Sequence, residues 1–416
     1  MMPTRVSGII LCVVGVGVHG LAWSRVLEGD LAWGMWFYQA SWWSYLGILA
    51  GVLAAIRPRP LEAWGRDFLV VLPWSVVWWV FFDIVGLRLQ NWYYVMLPPS
   101  RGLRWCGFWT AFATVIPLTL LTHDALRHIG LFGKTKWPEF DLTGRLLRII
   151  MVAGAVALLL SLAWPRCCFP LTWLFAPLLI EPCVARRSVS TILTELSQGR
   201  PATLLRLLTA GFVVGGLWEL FNAYSLSRWI YTVPGLEEGK VFEMPILGFL
   251  GFPPFALATY SFWSAVRRLN ADGHATARGV CARRLLWSFV VTIPVSIAGF
   301  ALIDHGSVRS FVPLARDLPG WDDSIGIPAH RVAFELCPAL SEGKVVPDRW
   351  CRLLDMARHR GLGLPRALEL EGLGICRVAE LARCNADTLM ARWGEDPPSA
   401  MELRLWITAA KRMTSP

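Results

Sequence analysis

The stretch WVFFDIVGLRLQNWYYVMLP at 79–98 has a counterpart in WELFNAYSLSRWIYTVP at 218–234. Each runs Trp-x-x-Phe, then Asp or Asn, a Leu-containing polar step, Trp-x-Tyr and a proline. What surrounds them decides how they are read. Of the 416 residues 55% are hydrophobic and only 17% charged, more apolar surface than a soluble core of this length uses. Apolar runs near the roughly 20 residues that cross a bilayer as helix fall at 7–24, 32–56, 64–86, 103–124, 144–164, 167–183, 204–226, 243–266 and 284–304. The expectation is an all-α polytopic membrane protein with about nine spans. The first run reads as a retained span, because Trp23 and Ser24 make a poor signal-cleavage site.

The two aromatic stretches close the third and seventh spans, an even number of crossings apart, so they share one side of the membrane. After each, the chain re-enters through a Gly- and Phe-rich helix holding another proline: GFWTAFATVIP at 107–117 and GFLGFPPF at 248–255. This predicts tandem parallel repeats at about 1–124 and 144–266, with an extra span at 284–304 completing a transmembrane domain, 1–304. The net charge of +10 reads as topology. Before residue 305, eighteen Lys and Arg gather on one side and seven on the other. Cytoplasmic loops collect positive charge, which predicts a bacterial-type inner membrane with the N-terminus inside and the C-terminal tail outside. Removing the proline-rich run at 167–183 would erase that bias.

Trp79, Trp92, Tyr94, Trp218, Trp229 and Tyr231 suit an aromatic belt at the headgroup layer. A belt leaves two acids unexplained. Asp83 and Glu219 lie inside the third and seventh spans, where a carboxylate is costly unless paired, protonated or wet. If they share an aromatic-lined cavity they are candidate catalytic acids for protonating an alkene, or a seat for a cation; otherwise they are interfacial acids bonded to Arg88, Arg228 or Asn222. FEMP at 242–245 and IEP at 180–182 give the membrane part a loose resemblance to the small polytopic carotenoid (lycopene-type) cyclases, in the opposite order and without the doubled Glu of that family. The resemblance implies an isoprenoid or lipid substrate.

After Asp304 the long apolar runs stop. A Pro-rich stretch at 305–346 reads as a linker, and 347–416 turns helical. WCRLLDMARHRGLGLPRALELEGLGICRVAELARCNADTL at 350–389, continuing to about 410, resembles a helix-hairpin-helix domain. Its hairpin is Gly361-Leu-Gly363 and its next turn Gly374-Ile375, while Leu362 and Leu364-Pro365 depart from the small or polar residues usual there. The resemblance implies a phosphate site made of Gly361 and Gly363 with Arg358, Arg360 and Arg366. Yet 305–416 holds 15 Lys and Arg against 14 Asp and Glu, far from a basic nucleic-acid module. A protein partner or the lipid headgroups is therefore expected ahead of DNA, and DNA ahead of a plain structural cap; the interaction reading has the helix around Trp406 exposed for contact. Ten cysteines form no CxxC pair and no His-x-x-x-His stands beside them, so no metal or cofactor is expected. Of these, Cys337, Cys351, Cys376 and Cys384 lie in the tail, and spacing names no pair.

The first expectation for function is a membrane-integral binding or scaffold protein; an intramembrane enzyme on an isoprenoid or lipid is the alternative, and a transporter the third. Topology is directly testable. An alkaline phosphatase fused after residue 416 is expected to be active, and a cytoplasmic reporter at the same point silent. The reverse pattern would end the nine-span, N-inside assignment.

Overall fold

The computed structural model describes residues 5–56, 68–186, 190–233, 239–269, 277–322, 324, 326–337 and 347–414, with the side chains of 269–284 left aside. Arg57, Arg59, Arg66 and Arg187, four of the eighteen cations counted on the inner side, lie outside the described residues, as do Pro234 and the linker's 338–346. Among the described residues nine helical segments are long and apolar enough to cross a bilayer, and the chain is a multi-pass membrane protein. They comprise α1 (Arg5–Leu27), α2 (Leu31–Ile56), α3 (Phe68–Leu89), α4 with α5 (Arg101–Phe112, Val115–His128) and α6 (Gly144–Ala163). Then come α7 with α8 (Pro165–Cys168, Thr172–Ala185), the short α9 (Ile192–Ser197), the spans α10 (Ala202–Tyr224) and α11 (Phe252–Leu269, entered through a 3-10 turn at Ile246–Gly251), and α12 (Ala277–Gly306).

Burial sorts the spans into two shells. The apolar windows of α1 and α6 are only 17% and 22% buried, against 78% for Arg101–His128 and 61% for α3. An apolar helix that the protein leaves bare is one that lipid covers. The inner shell is packed with aromatic rings, among them Phe37, Trp42, Trp78, Phe82, Phe112, Trp218, Phe221 and Phe255.

The fourth span is broken rather than continuous. Pro117 lacks the N–H that would bond one turn back, and the chain tightens at Ala113–Thr114. Ser75 of α3 fills the gap: its hydroxyl donates to the Phe112 carbonyl at 2.6 Å and accepts from the Ile116 N–H at 3.0 Å. The proline-containing sixth span likewise changes from α7 to α8 through a 3-10 turn at Phe169–Leu171.

The main departure from an all-α reading is a two-stranded antiparallel ribbon. β1 (Trp92–Val95) pairs with β2 (Arg228–Tyr231), with Trp92 opposite Tyr231, Tyr93 opposite Ile230, Tyr94 opposite Trp229 and Val95 opposite Arg228. Each aromatic stretch thus starts as the end of a span and turns into a strand, and the two strands pair with each other. Opposed residues share a face, so Trp92, Tyr94, Trp229 and Tyr231 all point one way, into the membrane core. Tyr93, Val95 and Ile230 point the other way, into the core of the tail. A second, smaller ribbon follows, β3 (Lys240–Val241) with β4 (Met244–Pro245).

The stretch after α12 is not a free tether over its described part. It runs parallel to β1: Tyr94 donates its N–H to the Ser307 carbonyl and accepts from Arg309, and Leu97 does the same with Ser310 and Val312. Past it lie α13 (Asp348–Arg358), α14 (Gly363–Gly372), α15 (Val378–Leu381), α16 (Ala386–Arg392) and α17 (Ala400–Thr414). Their shared core includes Trp350, Leu354, Leu370, Leu381 and Trp406. Trp406, expected on an exposed contact helix, is instead 4% exposed within that core. A disulfide joins Cys337 to Cys351, while Cys376 and Cys384 are free.

The turns fall at the glycines. Gly361, Gly363 and Gly374 take φ of +70°, +81° and +82°, where a side chain is strained. A Cβ on Gly361 would also lie 2.4 Å from Val95 Cβ, whereas one on Gly374 meets nothing. Gly374→Ala should cost only the left-handed backbone penalty, about 1–2 kcal/mol, and Gly361→Ala about 1–3 kcal/mol more from overpacking. Thermal unfolding of the two purified variants checks this; equal losses would remove the Val95 contact as the reason.

Candidate functional site

The ribbon's inward face decides how the two intramembrane acids are held. Asp83 and Glu219 are both fully buried. Asp83 Oδ1 accepts from Trp92 Nε1 at 2.9 Å, and the Tyr94 hydroxyl, 3.0 and 3.1 Å from the two oxygens, donates to the same carboxyl. On the other strand the Tyr231 hydroxyl donates to Glu219 Oε1 at 2.9 Å. Each acid is therefore held by the tyrosine of its own stretch. None of the partners proposed from the sequence, Arg88, Arg228 or Asn222, takes that place. Asn222, the sequence counterpart of Asp83, instead clamps the backbone of Trp229, with its Nδ2 on the carbonyl and its Oδ1 on the N–H, both at 3.0 Å. The acid on this side stands three residues earlier, about one helical turn along α10.

The two stretches also differ in how fully they are hydrogen-bonded. Trp92 is hydrogen-bonded to its acid, but Trp229 Nε1 and Glu219 Oε2 have no hydrogen-bond partner among the described residues. Burial, with the neighbouring carboxyl second, pushes the hydroxyls of Tyr94 and Tyr231 well above the ordinary tyrosine range, so both stay protonated donors.

Beside this arrangement lies a cavity of about 60 Å³, walled by α2, α4 and the ribbon. Trp36, Tyr38, Trp79, Tyr94, Trp218 and Trp229, with Phe108 and Phe112, supply its aromatic surface. Trp79 and Trp218, the leading tryptophans of the two stretches, meet there with ring centroids 5.1 Å apart. Besides the tyrosines, its polar wall residues are Gln39, Arg104, Ser227 and Arg228, of which the sequence pointed only to Arg228. Gln39 Oε1 is buried and unpartnered. Arg104 is held by Asp304 at the end of α12, with Nε and Nη2 on the two carboxylate oxygens at 2.7 and 2.8 Å. Asp83 and Glu219 stand behind this wall and are not part of it.

No family model, no curated protein and no solved structure matches the chain. The site must be judged on its own chemistry. Among the described residues no group of three metal-ligating side chains lies together.

The hairpin proposed for phosphate is turned inward. Gly361 abuts Val95, Gly363 abuts Ser310, and the Ser310 hydroxyl donates to the Gly361 carbonyl at 2.6 Å. Arg360 grips Glu243 through two bonds of 3.0 and 2.6 Å, with Arg228 a further 3.7 Å from that carboxylate. Arg366 is taken up by Glu369 and Asp396, and Arg358 lies 5.4 Å over the Phe334 ring. The three arginines do not converge on a common point outside the protein.

His359 opens this turn, buried, with Nε2 2.9 Å from the Trp406 carbonyl. Burial holds its pKa below the ordinary imidazole value, with the Arg360 charge adding to the effect and the Trp406 carbonyl opposing it. The unfolded chain then binds the proton more readily than the native one, so His359 lowers stability as pH falls through the ordinary imidazole range. Thermal midpoints should drop between about pH 7 and about pH 5, and His359→Gln should shrink that drop. An undiminished drop in the variant would mean another group is responsible.

Proposed function

We propose that this is an inner-membrane binding protein for a slender apolar ligand, of lipid or isoprenoid type, whose end enters the aromatic cavity. The observation that carries this reading is the wall itself. Eight aromatic residues surround a small space whose wall leaves one buried donor, Trp229 Nε1, and one buried acceptor, Gln39 Oε1, without partners among the described residues. Buried polar atoms left unpaired cost about 1–3 kcal/mol each, and a ligand bearing a hydroxyl or carbonyl at its end would relieve that cost. The tail serves as a cap over the ribbon, outside the membrane. Support for the cap comes from the Arg360–Glu243 pair and from the occupied hairpin, which weigh against DNA and for an internal role. The Cys337–Cys351 disulfide suits an oxidising exterior.

We read the two halves as tandem repeats. A two-fold axis through the Tyr93–Ile230 pair, normal to the ribbon, would exchange Trp92 with Trp229 and Tyr94 with Tyr231. Trp79 and Trp218, facing each other, suit the same axis.

A second reading, catalysis, has one specific support: the Tyr94 hydroxyl belongs to a cavity residue and is backed by both oxygens of Asp83. In that case Tyr94 would deliver a proton and Asp83 would orient it, with Tyr231 and Glu219 the second such pair.

The test is extraction of the detergent-purified protein. The parent should release an apolar lipid near one per chain. Ala111→Phe, which fills the cavity, should reduce it by at least about fivefold, the equivalent of about 1 kcal/mol. Only bulk phospholipid in both samples would overturn the binding reading. A chemically altered ligand accumulating in Tyr94→Phe but not in the parent would select the catalytic one.

A further inference from the structure

At the other end of α10, a helix of 23 residues and about 34 Å, lies a pocket of opposite character. It measures about 470 Å³. The end of α5 supplies His123 and Arg127, the following loop Lys136, and the approach to α10 and its first turns supply Arg200 and Arg206. Four cations thus face one carboxylate, Glu195, whose Oε1 accepts from the Ser190 hydroxyl at 3.2 Å.

Loop cations on this side could be no more than the charge bias that orients a membrane protein. Three observations argue for a built site. Arg206 is only 9% exposed, fixed by Nε donating to the Leu131 carbonyl at 2.6 Å, which is not the state of a solvated topological charge. His123 on the pocket wall is 3% exposed, and neither ring nitrogen has a hydrogen-bond partner among the described residues; Asp124 Oδ1 lies 3.8 Å from Nδ1. The first residues of α10, Ala202 and Thr203, also line the space. Helix geometry leaves their N–H groups without intrahelical acceptors, at the positive end of the helix dipole. Donors, dipole and cations converge from three separate segments.

We infer that this pocket binds a phosphorylated ligand carrying two or more negative charges, either a soluble diphosphate or the phosphomonoester head of a lipid. Arg200, Lys136 and the α10 N-terminus receive the phosphate oxygens, Arg206 is held in place as the inner cation, and His123 supplies a further donor. The aromatic cavity, at the far end of α10, has no part in it.

The full-length protein, reconstituted in nanodiscs of neutral phosphatidylcholine, is titrated with sodium pyrophosphate while its thermal midpoint is followed. Binding to the native state should raise the midpoint saturably, by less as salt is added. The Lys136→Gln/Arg200→Gln double variant should need about tenfold more pyrophosphate for half the effect. Thr203→Asp places a carboxylate where a helix N-terminus tolerates it, so it should fold and yet abolish the response. Nanodiscs containing phosphatidate distinguish the sources. A raised midpoint with the pyrophosphate curve displaced to higher concentration assigns the site to a lipid head, and no effect of phosphatidate assigns it to a soluble phosphate. No saturable rise with either, or variants that respond like the parent, would overturn the site.

Discussion

The pairing of β1 with β2 is the constraint on which the rest of the molecule depends. Four residues from each strand, more than a hundred positions apart in the chain, form one small ribbon with two buried faces. The inward face carries the tyrosines that hold Asp83 and Glu219. The outward face carries Tyr93, Val95 and Ile230, the floor on which the tail is built. Slipping the register by one residue would reverse both faces at once: the acids would lose their donors and the tail its apolar floor. A carboxylate stripped of its partners at such depth costs several kcal/mol, so the intramembrane acids themselves penalise mispairing.

This arrangement also accounts for the asymmetry between the halves. In the first, acid, tryptophan and tyrosine close on one another. In the second, the place of Asp83 is taken by Asn222, which is spent on the backbone of Trp229. The acid has moved one turn along α10, and the indole N–H has been left over. Trp229, whose indole N–H is the one left over, lines the aromatic cavity, whereas Trp92 does not.

Much of the membrane part was legible in the sequence, because crossing a bilayer demands a run of apolar residues whatever the neighbours are. The nine runs correspond to the nine helical segments, and Asp83 and Glu219 stood out because apolar surroundings make any acid conspicuous. The ribbon was not legible. Trp92, Tyr93, Tyr94 and Val95 are all apolar or aromatic, so no alternation betrays a strand buried on both sides, and Trp-Tyr strings at span ends resemble an interfacial belt. The hairpin glycines announced their turns through backbone demand alone, but Val95, against which Gly361 packs, lies some 266 positions away and leaves no local trace. The same holds for Glu243 with Arg360 and for Arg104 with Asp304, pairs whose members lie more than a hundred positions apart.

The ribbon also sets a timetable. β1 is complete at Val95, but its partner begins only at Arg228, roughly 130 residues later, on the order of ten seconds at translation rates of about 5–20 residues per second. During that interval the first four spans can insert, and Asp83 can already meet Trp92 and Tyr94. The outer edge of β1, by contrast, waits with unpaired backbone groups, an invitation to wrong partners. Because Tyr94 and Leu97 are later bonded from the other side by the stretch after α12, β1 is enclosed last by the segment made latest. Nascent chains halted before residue 312 therefore present an open strand edge at the membrane surface, the form most in need of an insertase or chaperone.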